Sequence, residues 1–117
     1  MPTVVHVVDD ELSVRKAVSR LLRAAGYDVA IYESAEQLLD HLPEKGESGC
    51  ILLDLLMPGV SGLAMQERLE RIGSELPVVF MTGSVEPIQG RAAGFLKKPV
   101  SKDELLDAIE RAIRPTG

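Results

Sequence analysis

Short apolar runs alternate with longer amphipathic stretches along this chain. The amphipathic stretches repeat their apolar residues every three or four positions, which is the period of a helix packed on one face. The apolar runs are short and continuous, as in parallel strands that are buried on both faces. The pattern therefore predicts an α/β domain, a parallel sheet covered by helices on both faces. The expected strands are 4–8, 29–32, 50–53, 77–81 and 94–96.

Helices are expected between these strands and after the last one. Two of them begin at capping boxes, Ser34–Gln37 and Ser101–Glu104, where a serine and a side chain three residues later satisfy the free amides of a helix start. A helix-breaking glycine or proline follows each of the first three amphipathic stretches. The expected helices are 12–25, 34–42, 62–72 and 101–113.

Polar side chains suited to a phosphoryl group follow four of the strands. The first strand runs into Asp9-Asp10-Glu11, the third into Asp54, the fourth into Thr82 and the fifth into Lys97-Lys98-Pro99. Parallel strands bring their carboxyl ends to one edge of a sheet, where open α/β sheets bind ligands. We therefore expect these groups to share one site.

Asp54 is the candidate nucleophile of that site. A carboxylate at a strand end can attack phosphorus and form an aspartyl phosphate; the alternative is an aspartate that only forms a turn or caps a helix. Asp9 and Asp10 favour the role of Asp54 as a nucleophile, because three carboxylates at one edge of the sheet call for a bound cation. A pair of carboxylates ~4 Å apart repels by about 4 kcal/mol at an effective dielectric near 20. Mg²⁺ relieves such repulsion and suits a few carboxylates with open water positions. Helix capping is the alternative role for Asp10.

Thr82 and Lys98 add a hydroxyl and an ammonium group. The hydroxyl of Thr82 can donate to a phosphoryl oxygen, and the alternative is a structural threonine at a strand end. Lys97 competes with Lys98, but neighbours on a strand point to opposite faces, so we expect only one lysine to enter the site. Lys98 precedes Pro99, and a bond of this type can be cis.

Composition and charge narrow the class of protein. The 117 residues are expected to form a single domain, residues 1–117. The net charge of −5 argues against nucleic-acid binding by this domain, since that affinity comes largely from Lys and Arg. The first residues have neither the basic region nor the apolar core of a signal peptide, so we do not expect a secreted protein. No apolar stretch approaches the ~20 residues that span a bilayer. One cysteine, Cys50, fits a reducing compartment, so we expect a cytoplasmic protein that does not bind membranes.

Four segments carry a resemblance to a known family: VVDDE at 7–11, LLDLLMPGVSG at 52–62, VVFMTG at 78–83 and FLKKP at 95–99. With these segments the chain resembles the receiver domain of two-component response regulators. Its middle segment is most similar to receivers of the nitrogen-fixation regulator subfamily. The resemblance implies a flavodoxin-like, doubly wound, five-stranded parallel sheet in the order 2-1-3-4-5.

The resemblance also implies roles for the site residues. Asp54 would accept a phosphoryl group from a sensor histidine kinase or a phosphotransfer protein. Mg²⁺ would be bound by Asp10, Asp54 and the backbone carbonyl of Leu56, with Asp9 acting mainly through water. Such domains are switches, and the expected state is a monomer or a weak dimer.

Three further residues match the family's phosphoryl-binding and switch positions. Thr82 and Lys98 would hold the phosphoryl oxygens, and Phe95 would be the aromatic switch. We therefore expect a phosphoryl-accepting switch in two-component signal transduction that regulates transcription through an output domain. It would catalyse at most its own phosphorylation and dephosphorylation. The alternatives are a phosphorylation-independent interaction module that keeps the acidic site, and a small Mg²⁺-dependent phosphohydrolase.

One segment departs from the family pattern. Lys98 follows Thr82 by sixteen positions, roughly six fewer than is usual in the family. The roughly six missing residues correspond to more than one turn of a helix. The missing length falls where the fourth helix of the family belongs, and what remains contains Pro87 and Gly90, both poor helix-interior residues. We expect that helix to be shortened or absent and segment 84–93 to be a loop.

Overall fold

The computed structural model of the chain describes residues 3–41, 48–54, 62–72, 76–82 and 94–113. Strands and helices alternate along these residues, as the apolar pattern predicts. The strands are β1 (Thr3–Val8), β2 (Asp28–Tyr32), β3 (Ser48–Asp54), β4 (Val78–Thr82) and β5 (Gly94–Lys97). The helices are α1 (Leu12–Ala24), α2 (Ala35–Asp40), α3 (Gly62–Arg71) and α4 (Lys102–Ile113).

The five strands form one parallel sheet in the order β2-β1-β3-β4-β5. The predicted fold and strand order are therefore confirmed. Because β1 has β2 on one side and β3 on the other, the chain reverses its winding direction at β1. In open α/β sheets the crevice beyond such a switch point is the usual ligand site. The acidic residues after β1 and at the end of β3 lie at this place.

Helices cover both faces of the sheet. Side chains alternate along β1, so Val5 and Val7 face one core cluster and Val8 faces the other. Helices α1 and α4 cover the first face, and α2 and α3 cover the second. The helix residues buried in these clusters are Val18, Leu22, Leu105, Ile109 and Ala112 on the first face, and Ala35, Leu38, Met65 and Leu69 on the second.

Both predicted capping boxes contribute hydrogen bonds at helix starts. The Ser34 hydroxyl accepts from the backbone N–H of Gln37 at 3.2 Å, and the Gln37 side chain accepts from the N–H of Glu33 at 2.8 Å. Ser101 likewise accepts from the N–H of Glu104 at 3.2 Å. The α2 helix ends at Asp40, two residues before the predicted end at 42, which lies outside the described residues.

Two glycines meet requirements that other residues cannot meet without cost. Gly26 has a φ of 97° and turns the chain out of α1 toward β2. Gly49 has a φ of 151°, and a Cβ at this position would collide with the backbone carbonyl oxygen of Val4 on the neighbouring strand. The close pairing of β1 and β3 therefore depends on the missing side chain of Gly49.

Segment 84–93, where the sequence predicts a loop and a shortened or absent helix, lies outside the described residues, so that expectation stays a prediction. Among the helices of the described ranges, none is both long and apolar enough to cross a membrane.

Candidate functional site

Four neighbouring strands bring their carboxyl ends to one edge of the sheet. Asp9 follows β1, Asp54 ends β3, Thr82 ends β4 and Lys98 follows β5. Asp9, Asp54 and Thr82 are buried, with 0%, 4% and 7% of their surfaces exposed. Buried carboxylates are costly unless they are paired or hydrogen-bonded, so their partners decide what this edge does.

Asp9 makes hydrogen bonds through both oxygens of its carboxylate and through its backbone. Its Oδ1 accepts from the backbone N–H of Glu11 at 2.9 Å, and its Oδ2 accepts from Lys98 Nζ at 2.9 Å. Its own N–H donates at 3.2 Å to the carbonyl of Tyr32, the last residue of the neighbouring strand β2. The carboxylate therefore has a defined direction at the base of the site.

Lys98 bridges the two buried carboxylates. Its Nζ lies 2.9 Å from Asp9 Oδ2 and 3.1 Å from Asp54 Oδ2. Burial by itself lowers the pKa of Lys98, but the hydrogen bonds and negative charges of the two aspartates outweigh it, so the pKa lies above its ordinary value. Lys98 is therefore a fixed ammonium at neutral pH. The neighbouring Lys97 is exposed, and the Lys98–Pro99 peptide bond is cis.

Asp9, Asp10 and Asp54 form a group whose ligand oxygens all lie within 4.8 Å of one another. At that separation two carboxylates repel by about 3 kcal/mol at an effective dielectric near 20. Asp10 is exposed, so water reaches this group from solvent. Carboxylate oxygens with room for water are the donor set that Mg²⁺ prefers, and the residues present fit that ion. Leu56, whose carbonyl was expected to complete the ligand set, lies outside the described residues.

Thr82 ends β4, and Phe95 lies on the neighbouring strand β5, two residues before its end. The carbonyl of Thr82 accepts from the N–H of Lys98 at 2.8 Å, which fixes where the lysine leaves β5. Phe95 is 47% exposed, and its ring centroid lies 5.7 Å from that of the buried Phe80. Its ring is therefore half in solvent and half on the sheet.

Arg15 on α1 is a site neighbour that the sequence argument did not single out. Its side chain is 7% exposed, and Nη1 donates to the backbone carbonyl of Asp9 at 2.7 Å. The helical spacing of the sequence could have identified Arg15. It precedes Val18, Ser19 and Leu22 by three, four and seven positions, so it lies on the buried stripe of α1. A charged residue on such a stripe needs a buried partner.

Comparison with known proteins gives this edge of the sheet its context. Residues 5–110 match the family model of the response regulator receiver domain. The chain belongs to that family. The predicted family is thus confirmed, including its likeness to the nitrogen-fixation regulator subfamily.

Several relatives extend the match over most of the chain. The response regulator protein TodT of Pseudomonas putida strain F1 is 34% identical over 118 residues, which cover 96% of this chain and 52% of TodT. The transcriptional regulatory protein FixJ of Bradyrhizobium diazoefficiens is 37% identical over 117 residues, which cover 94% of this chain and 56% of FixJ. The crystal structure of FixJ-N matches with a TM-score of 0.87 at 31% identity, covering 100% of this chain and 98% of that one.

These matches establish a receiver domain of two-component signal transduction, a signalling domain rather than a typical enzyme. They support neither the phosphohydrolase nor the phosphorylation-independent module. The chain spans about half the length of TodT and FixJ. The alignment with TodT has 118 positions, but only 96% of this chain's 117 residues take part in it. The aligned part of TodT therefore contains residues that have no counterpart in this chain.

Proposed function

We propose that this receiver domain is a phosphoryl-accepting switch whose phosphoacceptor is Asp54. The observation that carries the proposal is the bridge from Lys98 Nζ to both Asp9 and Asp54, inside a group of three carboxylates at the carboxyl edge of the sheet. Three carboxylates and one ammonium leave two net negative charges. These charges repel an anionic phosphoryl group, and a bound cation would reduce that repulsion.

Mg²⁺ is the cation that we propose for this purpose. Asp10 and Asp54 would be direct ligands with the carbonyl of Leu56, and Asp9 would act mainly through water. When bound, the ion neutralises charge on the carboxylates and on the phosphoryl oxygens. The support is the exposure of Asp10 beside two buried carboxylates, which leaves room for the ion's waters.

Phosphoryl transfer then depends on groups that the chain already holds in position. A carboxylate oxygen of Asp54 attacks phosphorus, forming a new P–O bond, while the P–N bond to the donor histidine breaks and the imidazole leaves. Lys98 Nζ passes from the Asp54 carboxylate to a phosphoryl oxygen and keeps its bond to Asp9. The hydroxyl of Thr82 donates to a second phosphoryl oxygen, and Phe95 turns inward as the switch.

The donor in this proposal is a sensor histidine kinase or a phosphotransfer protein, and the domain catalyses at most its own phosphorylation and dephosphorylation. Response regulators receive their phosphate from histidine kinases, and TodT and FixJ are a response regulator and a transcriptional regulator by name. We propose by analogy a cytoplasmic protein that controls transcription through an output domain. The receiver itself would be a monomer or a weak dimer that binds no nucleic acid.

Incubation with acetyl phosphate and Mg²⁺, followed by intact mass measurement, tests the phosphoacceptor. We expect one added phosphoryl group that hydroxylamine removes, because an acyl phosphate reacts with that nucleophile. Asp54→Asn should abolish the addition, whereas the exposed Asp107→Asn on α4 should leave it unchanged. Full labelling of the Asp54→Asn variant would show that another residue accepts the phosphoryl group.

A second measurement separates the metal from the nucleophile. Asp10→Ala should lower the rate of labelling while leaving Asp54 as the labelled residue, and the loss should depend on Mg²⁺ concentration. An Asp10→Ala variant that is labelled at the same rate as the unaltered protein at every Mg²⁺ concentration would remove Asp10 from the ligand set.

A further inference from the structure

We infer that Arg15 is a positioning residue of the acidic site, which orients the Asp9–Asp10 peptide and thereby the carboxylate of Asp10. The inference rests on the proposed function, since it concerns how Asp10 is presented to Mg²⁺. It is carried by the 2.7 Å hydrogen bond from Arg15 Nη1 to the carbonyl oxygen of Asp9.

That hydrogen bond acts on the one backbone unit between the two acids. The carbonyl of Asp9 and the N–H of Asp10 belong to the same planar peptide, so fixing the carbonyl direction also fixes the orientation of that plane. The plane carries the N and Cα atoms of Asp10, and the next peptide is held by the hydrogen bond from the Glu11 N–H to Asp9 Oδ1. With the peptides on both sides of its Cα held, the Cα–Cβ bond of Asp10 has a defined direction, and the donor on the Asp9 carbonyl contributes to it without touching the side chain.

Asp10 needs this control more than Asp9 does. The carboxylate of Asp9 is held by Glu11 and Lys98. Within the described part of the chain, no hydrogen bond or ion pair holds the exposed carboxylate of Asp10. Removing a group that orients a metal ligand typically lowers metal affinity or activity about 10- to 100-fold. Among the described residues, Arg15 orients Asp10 from the peptide before it, while Asp9 Oδ1 holds the peptide after it.

Arginine is suited to the position because it makes two contacts in different directions. Nη1 binds the Asp9 carbonyl, and Nη2 lies 3.8 Å from Oε1 of Glu33 in the turn before α2. The guanidinium therefore connects the turn after β1 to the turn after β2. Lysine has one compact ammonium and cannot reproduce this fork. Glu33 is 69% exposed, so its ion pair contributes less than the buried hydrogen bond.

Arg15→Met tests the inference, with Arg20→Met as the matched control on an exposed position of the same helix. Methionine keeps an unbranched apolar stem and removes the donor. In metal-free protein, the NMR order parameters of the Asp10 and Glu11 amides should fall from rigid values of about 0.85 to below about 0.6 in Arg15→Met. They should not change in Arg20→Met. This measurement needs no Mg²⁺ and no phosphorylation.

A Mg²⁺ titration followed at the same amides tests the consequence. Arg15→Met should bind Mg²⁺ roughly 10- to 100-fold more weakly than the unaltered protein, and its labelling rate should recover at saturating Mg²⁺. The Mg²⁺ affinity of Arg15→Lys should lie between those of Arg15→Met and the unaltered protein. This variant supplies a folded comparison if Arg15→Met does not fold. Glu33→Gln should change the Mg²⁺ affinity less than either substitution of Arg15.

The outcomes separate this inference from the proposed function. Unchanged order parameters at Asp10 in Arg15→Met, or Mg²⁺ affinities of both Arg15 variants equal to that of Arg20→Met, would overturn the positioning role. If the unaltered protein binds no Mg²⁺, the metal part of the proposed function fails instead. Lower order parameters in Arg15→Met would then still support the control of Asp10 by Arg15.

Discussion

Replacing Lys98 by methionine is expected to destabilise the protein by about 3 kcal/mol in Mg²⁺-free buffer at neutral pH. The ammonium lies 2.9 Å from Asp9 Oδ2 and 3.1 Å from Asp54 Oδ2. The side chains of these aspartates are 0% and 5% exposed. Methionine keeps the apolar stem, so the main loss is the positive charge between two buried carboxylates.

The magnitude follows from what the substitution leaves behind. Removing one partner of a buried ion pair costs about 3–5 kcal/mol, because the remaining charge stays buried without compensation. The side chain of Lys98 is 20% exposed, so water can enter the vacated position and recover part of this cost. The lower end of the range is therefore expected, a sizeable fraction of the 5–15 kcal/mol that is typical of a whole domain.

Urea unfolding followed by far-ultraviolet circular dichroism measures this cost, first with EDTA and then with excess Mg²⁺. Lys97→Met is the matched control, since it makes the same change at the exposed neighbouring residue and should cost within about 0.5 kcal/mol. Mg²⁺ should stabilise Lys98→Met more than the unaltered protein, because a ligand that binds only the native state adds stability according to its affinity. In the variant the cation does not compete with an ammonium for the same oxygens.

Two results would refute the reasoning. One is a cost for Lys98→Met that exceeds that of Lys97→Met by less than about 1 kcal/mol, the value of an ordinary surface ion pair. The other is a stability difference between Lys98→Met and the unaltered protein that stays the same in EDTA and in Mg²⁺.

Three further predictions concern the titration of Lys98, the burial of Cys50 and the positive-φ glycines Gly26 and Gly49. The folded pKa of Lys98 lies above its ordinary value of 10.5, so its contribution to stability is complete below pH 10.5 and lost as the pH rises through the folded value; unfolding curves of Lys98→Met should lack that alkaline loss. Burial raises the pKa of the Cys50 thiol to about 12, so Ellman's reagent should react with it in urea but not in native protein at pH 8, and rapid native labelling would contradict its burial. Gly49→Ala should destabilise the protein by more than about 3 kcal/mol, whereas Gly26→Ala, which meets no atom within 4 Å, should cost about 1 kcal/mol; equal costs in urea unfolding would contradict the clash with Val4.

The layered α/β fold could be predicted from local patterns. A continuous apolar run such as 50–53 and a stripe at helical spacing such as that of α1 report burial directly, because a strand buried on two faces and a helix buried on one have different periods. The same patterns identify the polar residue that ends each strand. In a parallel sheet those residues must lie at one edge, so the composition of the site was predictable before its geometry.

Only the tertiary structure decided how those groups meet. Lys98 contacts carboxylates that stand 89 and 44 positions away in the chain, and strand order and register determine such contacts. Local periodicity carries no information about either. For the same reason the role of Arg15 was not predicted from its place on the buried stripe of α1, and only the turn after β1 brings the carbonyl of Asp9 within 2.7 Å of its guanidinium. Sequence thus determined which chemistry reaches the edge of the sheet, and long-range packing determined which atoms hold it there.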